Sequence, residues 1–417
     1  MTTTPIRSEH RSTFDESNTP ALLPIALRLA DMLHRMKLLP VNFDRDSLTS
    51  AALKAANAAK FDAPINWEGF EILGKSIQHN ENATFMTRSV LRGEVIRQLR
   101  IALQLEEFTR ANPTVVNEVI KRPIIITGLP RTGTTLLHRL LARDPKLRVP
   151  KFWELTDPMP IHETGSRVRS GQRSVNQITG AIPKYLTIHP LAADEPEECV
   201  FLLMHRYEYV ARGVGSEYME WLGRYDHRLE YQRYRRLLQV LQFGQPSSPA
   251  PQRWVLKSPF HLFTLDAIAE VFPDAQIIFT HRSPAEAIPS WASLMATVQK
   301  PIAREVDLTS VGRQWADLWQ KGVERAQAVR DKNTSLTFTD VHYGDLVSNP
   351  IDTVKEIYEK IQQPWTNEAD AQMRDWLRDN ARGKFQEHRY SLEQFGLNKT
   401  QIDQQYAGYI KRYKLED

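Results

Sequence analysis

The run KRPIIITGLPRTGTT, residues 121–135, carries the residue types that grip an anion. A β-branched stretch over 124–127 breaks at Gly128, passes through a tight loop and feeds into LLHRLLARD. Strand, loop and helix in that order aim loop amides and the positive end of a helix at one point, where a phosphate-like group is favoured. The spacing from Gly128 to Gly133 is that of a nucleotide-triphosphate P-loop, G-x-x-x-x-G-K-[ST], but Thr134 stands where the lysine belongs. That lysine is the group that reaches the terminal phosphates of a triphosphate. Here the cation comes earlier, at Arg131, with hydroxyls at Thr132, Thr134 and Thr135. The loop therefore predicts an anion site that does not hold a magnesium-bound triphosphate. A glycine pattern alone would equally suit an ordinary turn; the strand before it and the helix after it favour the site.

Two further segments place polar residues where strands should end. In WVLKSPFHL, Lys257 leaves an apolar strand that Pro259 stops, so its ammonium is placed to neutralise a transferring group. His261, four residues on, fits an acid/base, a hydrogen-bonding ligand or a helix-cap residue equally well. In IIFTHRSPAEAIPSWASL, Arg282 leaves a strand and Ser290 follows eight residues later, about two helical turns along. Both reach one phosphate if the helix packs back on the strand, the guanidinium giving a planar multi-donor grip and the hydroxyl completing it. A fourth segment, HPLAADEPEECVFLL, gathers His189, Asp194, Glu195, Glu197 and Glu198. Carboxylates at the start of an apolar helix serve as caps, and they also supply a general base beside a substrate lid.

The elements that must position these groups are legible in outline. Strands are expected over 123–127, 253–256, 275–280 and 335–338, separated by helices over 135–143, 195–242, 262–272, 285–297 and 311–330. Such alternation predicts an α/β fold, a parallel sheet flanked by helices, with ligands at the carboxyl ends of the strands. The loop at Gly128 and the segments 257–261 and 281–283 all fall there. Residues 144–194, rich in Pro, Gly, Ser and charge, read as a long substrate-facing lid loop. Composition predicts a disordered tail over 1–20, a helical N-terminal region over 21–120 that caps the core, and the α/β domain over 121–417.

Composition narrows the chemistry. The 417 residues carry a net charge of +4, spread along the chain, which argues against a nucleic-acid partner. The single cysteine, Cys199, excludes an intrachain disulfide and a cysteine-rich zinc site and reads as a small buried hydrophobe in a helix. The polar N-terminus lacks the apolar core of a signal peptide, and no window approaches the roughly 18 apolar residues of a membrane span. A cytoplasmic protein is expected, with oligomeric state, including a homo-oligomer, left open.

GLPRTGTTLLHRLL, VLKSPFHL and THRSPAEAIPS together resemble the sulfotransferase superfamily, most closely its bacterial-type members, over about residues 122–397. The resemblance implies a P-loop NTPase-like sulfotransferase fold and 3′-phosphoadenosine-5′-phosphosulfate (PAPS) as sulfuryl donor, with no metal. It places the 5′-phosphosulfate on Arg131, Thr132, Gly133, Thr134 and Thr135, where cytosolic relatives have lysine in place of Arg131. It places the 3′-phosphate on Arg282 and Ser290, with a looser match to a closing basic segment at Arg382, Gly383 and Lys384. Some branches of the family use histidine as base and others glutamate; of the groups present, Glu197 is expected, then Glu195 and His189, with Arg131 and Lys257 neutralising the transferring group. The expected reaction moves a sulfuryl group to a hydroxyl, or less readily an amine, of a small organic acceptor. A P-loop kinase and a non-catalytic nucleotide-binding protein are the rival readings. The kinase lacks its lysine at Thr134 and a recognisable acidic magnesium ligand.

Overall fold

The computed structural model describes residues 23–182, 185–243, 253–332, 335–380 and 390–415. The tail expected over 1–20 and the segment holding Arg382, Gly383 and Lys384 lie outside the described residues.

Four helices come first: α1 (Leu23–Arg35), α2 (Arg45–Ala56), α3 (Trp67–His79) and the long α4 (Phe85–Ala111). Side chains of Asp44, Asn66 and Thr84 cap the last three by accepting from backbone N–H groups of the first turn. The sheet follows, built from β1 (Ile124–Gly128), β2 (Leu147–Arg148), β3 (Arg253–Lys257), β4 (Gln276–His281) and β5 (Thr337–His342). Its order is β2-β3-β1-β4-β5, and every pairing is parallel. β1 is buried at every position, so both faces must be apolar, which is why it reads as a continuous Ile run. Alternation still sorts the faces. Ile125, Leu256 and Ile277 join the large core shared with the N-terminal helices, whereas Ile124, Ile126, Val255 and Ile278 pack on the opposite side.

Between β1 and β3 run α5 (Thr134–Leu141), α6 (Phe152–Thr156), α7 (Thr164–Ala181), α8 (Tyr185–Ile188), α9 (Ser216–Arg224) and α10 (Arg228–Phe243). After β3 come α11 (Leu265–Val271), α12 (Pro284–Gln299), α13 (Leu308–Asp331), α14 (Tyr343–Ser348), α15 (Pro350–Lys360), α16 (Asn367–Asp379), α17 (Lys399–Gln405) and α18 (Ala407–Tyr413).

Two expectations fail. Residues 144–194 are not a structureless lid: β2, α6, α7 and α8 lie within them. α7 is so polar that only Arg167, Gly171 and Val175, four apart, reach the interior. Gly171 is there because a Cβ would stand 2.6 Å from Cβ of Trp153 on α6, so the two helices touch backbone to side chain. Nor is 195–242 one helical region. It opens with 3₁₀ turns at Cys199–Leu202 and Tyr207–Arg212, the second ended by Gly213 at φ 78°. The apolar run ECVFLLMH is thus buried irregular chain, stabilised by its neighbours. Gln98 of α4 donates to the carbonyl of Phe201 at 2.8 Å, and Arg206 pairs with Glu94 of α4 at 2.6 Å. The N-terminal helices therefore brace the buried run that follows the acidic segment.

Candidate active site

The loop after β1 takes its shape from two glycines. Gly128 has φ 149°, and a Cβ there would lie 2.4 Å from the carbonyl oxygen of Thr280 on β4. Gly133 has φ 85° and would strike Leu346 and Tyr343 of α14. Between them Arg131 itself sits in the left-handed region at φ 66°, a conformation that costs a non-glycine residue of order 1 kcal/mol or more. Such a backbone persists where its surroundings hold it, and here they do. The carbonyl of Arg131 accepts from Arg282 Nη1 at 3.0 Å, and Nε of Arg131 donates to Ser290 Oγ at 3.0 Å.

Arg131, Arg282 and Ser290, read from separate parts of the chain, are therefore one cluster. Arg282 is further placed by Glu286, which takes its Nε at 2.6 Å, and by the ring of Tyr343, 4.2 Å below the guanidinium carbon. Burial lowers the Arg131 pKa, Tyr390 opposes that, and the like charge of Arg282 adds to it. Two neighbouring guanidinium groups beside the N-terminus of α5 make a place that an anion stabilises. Thr132 plays another part: its hydroxyl is buried and bonded to Leu129 O and Thr280 Oγ1, both at 2.6 Å, so it ties the loop to β4. Thr134 and Thr135 open α5, Thr134 buried and Thr135 half-buried.

On the other side of β1, Lys257 ends β3 in register with Ile126. Its ammonium is buried and donates to Glu198 Oε1 at 2.8 Å. His138 of α5 is near; burial first, then Lys257, push its pKa down to about 3, so it is a neutral imidazole. Glu197 points differently. Its oxygens take His189 Nε2 at 2.9 Å and the Glu198 N–H at 2.8 Å. Burial raises its pKa, but His189, Lys257 and that N–H outweigh it and hold the carboxyl at about 2. Both oxygens are thus engaged in orienting the segment. Tyr185 lies against His189, ring centroids 5.3 Å apart and the planes tilted by 49°, and burial followed by Glu197 and Glu198 drives its hydroxyl well above the usual phenol range.

The remaining acids separate. Glu195 pairs with Arg143 at 3.1 Å and Asp194 with Lys151 at 2.7 Å, both toward the surface. Of the expected bases, Glu195 therefore stands apart from Lys257. His261 is a core residue, between Cys199 Sγ (3.2 Å) and Tyr231 OH (2.6 Å), and burial pushes its pKa down to about 3. Thr264, not His261, stands at the N-cap position of α11, and His261 itself lies within a 3₁₀ turn, 259–263, that Ser258 caps by accepting from Phe260 N. Cys199 is buried, its thiol pushed up to about 12 by burial.

Two groups at the site were not singled out from sequence, Glu198 as the partner of Lys257 and Tyr343 beneath Arg282, and nor was Glu208 in the buried charge network behind it. Glu208 carries a carboxyl whose two oxygens are buried and have no hydrogen-bond partner among the described residues. Burial pushes it up to about 8, Arg206 opposing and Glu198 reinforcing. Only the membership of Glu198 in the acidic segment 194–198 was visible beforehand; the other two depend on tertiary neighbours.

Comparison with known proteins fits this geometry. The sulfotransferase family matches residues 123–367. The omega-hydroxy-beta-dihydromenaquinone-9 sulfotransferase Stf3 of Mycobacterium bovis is 26% identical over 303 residues, covering 70% of this chain and 74% of that protein. The crystal structure of sulfotransferase STF9 from Mycobacterium avium superposes with a TM-score of 0.79 at 26% identity, over 90% of this chain and 98% of the other. That of sulfotransferase STF1 from Mycobacterium tuberculosis H37Rv gives 0.76 at 32% identity, over 88% and 98%. With a parallel sheet, an anion loop without the triphosphate lysine, and these matches, the chain belongs to the sulfotransferase family and is an enzyme of sulfuryl transfer.

Proposed function

We propose that the sulfuryl donor is PAPS and that the acceptor is a hydroxyl on a small, lipid-like organic molecule. The observation that carries the donor assignment is the bond between Arg131 and Ser290, with Arg282 on the same loop carbonyl. One cluster then holds a cation for the phosphosulfate and an arginine–serine pair for a second phosphate on the same ribose. The 5′-phosphosulfate would lie over the loop amides from Arg131 to Thr135 and the α5 terminus, and the 3′-phosphate against Arg282 and Ser290.

In the transfer itself Glu198 is placed to act as base. It removes the proton of the acceptor hydroxyl as that oxygen bonds to sulfur, while the bond from sulfur to the bridging phosphate oxygen breaks and the 3′,5′-bisphosphate leaves with the electron pair. Lys257, held by Glu198 before the donor arrives, neutralises the sulfuryl oxygens, and Arg131 the leaving phosphate. Glu197 and His189 hold the segment that presents Glu198. A lipid-like acceptor is supported by the name of the Stf3 relative, an omega-hydroxy-beta-dihydromenaquinone-9 sulfotransferase.

Calorimetric titration with adenosine 3′,5′-bisphosphate and with ATP tests the donor. Tight binding of the bisphosphate and negligible binding of ATP are expected. Arg131→Ala and Arg282→Ala should each weaken the bisphosphate by roughly 10- to 100-fold, the usual value of a charge-assisted bond. Unchanged affinity in both variants would refute the pocket, and preferential ATP binding would restore the kinase.

A further inference from the structure

α1 is built inside out. On a helix of 100° per residue, Ile25, Leu29, Met32 and Met36, in the turn that follows, fall within about 60° of one another. An apolar stripe of that kind normally faces the core. Here it faces solvent: the four are 44 to 62% exposed, and the stripe continues into Leu38 and Leu39 at 66 and 37%. What holds α1 to the protein is its other side, through Asp31. That carboxylate accepts from Phe85 N at 2.9 Å and pairs with Arg304 at 3.0 Å. Leu27, Ala30 and Leu33 are half-buried on that side. Contiguous exposed apolar side chains mark an interaction surface.

Charge indicates what covers it. The exposed ionic residues over 25–40 are Arg28, Arg35 and Lys37, all cationic, while the single acid there, Asp31, is half-buried in its ion pair. Two copies meeting on this stripe would bring cations onto cations. Residues 1–19 offer only Met1, Ile6 and Phe14 as large apolar side chains, too few to form a complementary stripe. Apolar residues flanked by cations suit an anionic lipid surface, with side chains entering the headgroup boundary and guanidinium and ammonium groups meeting phosphates.

We propose that the α1 stripe, from Ile25 to Leu39, docks the enzyme reversibly on an anionic lipid bilayer. This does not depend on the donor or on the base. It would bring the active site to a surface where lipid-like acceptors reside, and that consequence alone rests on the acceptor reading above.

Flotation of the full chain with vesicles of phosphatidylglycerol and phosphatidylcholine, against phosphatidylcholine alone, tests it. Each cation near an anionic surface contributes about fivefold, so three should give roughly a hundredfold preference for the anionic vesicles, lost at high salt. Leu29→Glu with Met32→Glu should cut binding at least tenfold. Arg28→Glu with Lys37→Glu should abolish the preference for anionic lipid, Arg35 being left in place because it also pairs with Asp31 at 3.9 Å. Bisphosphate affinity and thermal stability, read on the same variants, should stay at the parent values, since the substituted side chains face solvent. Equal partition of parent and Leu29→Glu/Met32→Glu protein would overturn the proposal. So would light scattering in which those substitutions convert a dimer to a monomer, because the stripe would then be a contact between copies.

Discussion

At the residue scale the decisive pairing is Lys257 with Glu198. A buried ammonium is costly unless a carboxylate compensates it, so the two hold one another, and on the proposed mechanism they would part as the donor brings its own negative charge. Glu197 cannot exchange partners in this way, because His189 and a backbone N–H occupy its oxygens. Glu198→Gln should therefore lower kcat by about 10²- to 10⁴-fold, the usual contribution of a positioned base, and leave bisphosphate affinity within twofold. Glu197→Gln should cost less in kcat and more in thermal stability. Steady-state kinetics that ranked the two variants the other way would move the base to Glu197. The acidic segment could be recognised in the sequence, but the choice within it could not: Glu198 meets Lys257 across 59 positions, and its neighbour one residue earlier meets a histidine eight positions back. Adjacent identical side chains differ here only by which way an irregular, non-helical backbone turns them.

At the element scale the loop after β1 was legible because everything that shapes it is local. A buried strand, a glycine that must pass a neighbouring strand and a helix start within eight residues leave few alternatives. α7 was not, because its turns carry glycine, serine and arginine and expose most of their surface, so no apolar period announces it. The short β2 was equally hidden, as two residues pairing with the edge of β3 leave no alternation to read. The loop also gives a sharp test. Gly128→Ala would push a methyl carbon to 2.4 Å from the Thr280 carbonyl oxygen and 2.5 Å from its Oγ1, and the backbone oxygen cannot swing aside. β1 and β4 must separate or the loop must twist, at a cost of about 1–3 kcal/mol, and the amides that face the anion move with it. A lowered melting temperature together with at least tenfold weaker bisphosphate binding is expected. An alanine variant that melts and binds as the parent does would show that the loop is not held against β4.

At the scale of the whole molecule, the helical N-terminal region and the acidic segment share one network of buried charge, and its titration sets how stability responds to pH. Most groups in it favour neutral pH over acid. His138 and His261 are held at about 3 by burial, so unfolding takes up protons as the pH drops below about 6.5, the ordinary histidine value. Glu197, held at about 2 by His189 and Lys257 against burial, adds stability that is complete above about 4.5 and lost as pH falls toward 2. Glu208 has the opposite sign. Burial raises it to about 8 from 4.5, so the folded protein prefers its protonated form, and each step of pH from about 4.5 to 8 adds a cost of folding. Glu208→Gln keeps the shape of the protonated side chain and removes the titration. The difference in melting temperature between variant and parent should be near zero at pH 5 and grow to several degrees in favour of the variant by pH 8.5. A difference that stays flat across that range would mean that Glu208 ionises in the folded protein as it does in the unfolded chain, through contact with water or with a cation that compensates it. A growing difference would identify a neutral carboxylic acid buried beside Arg206 in the folded protein.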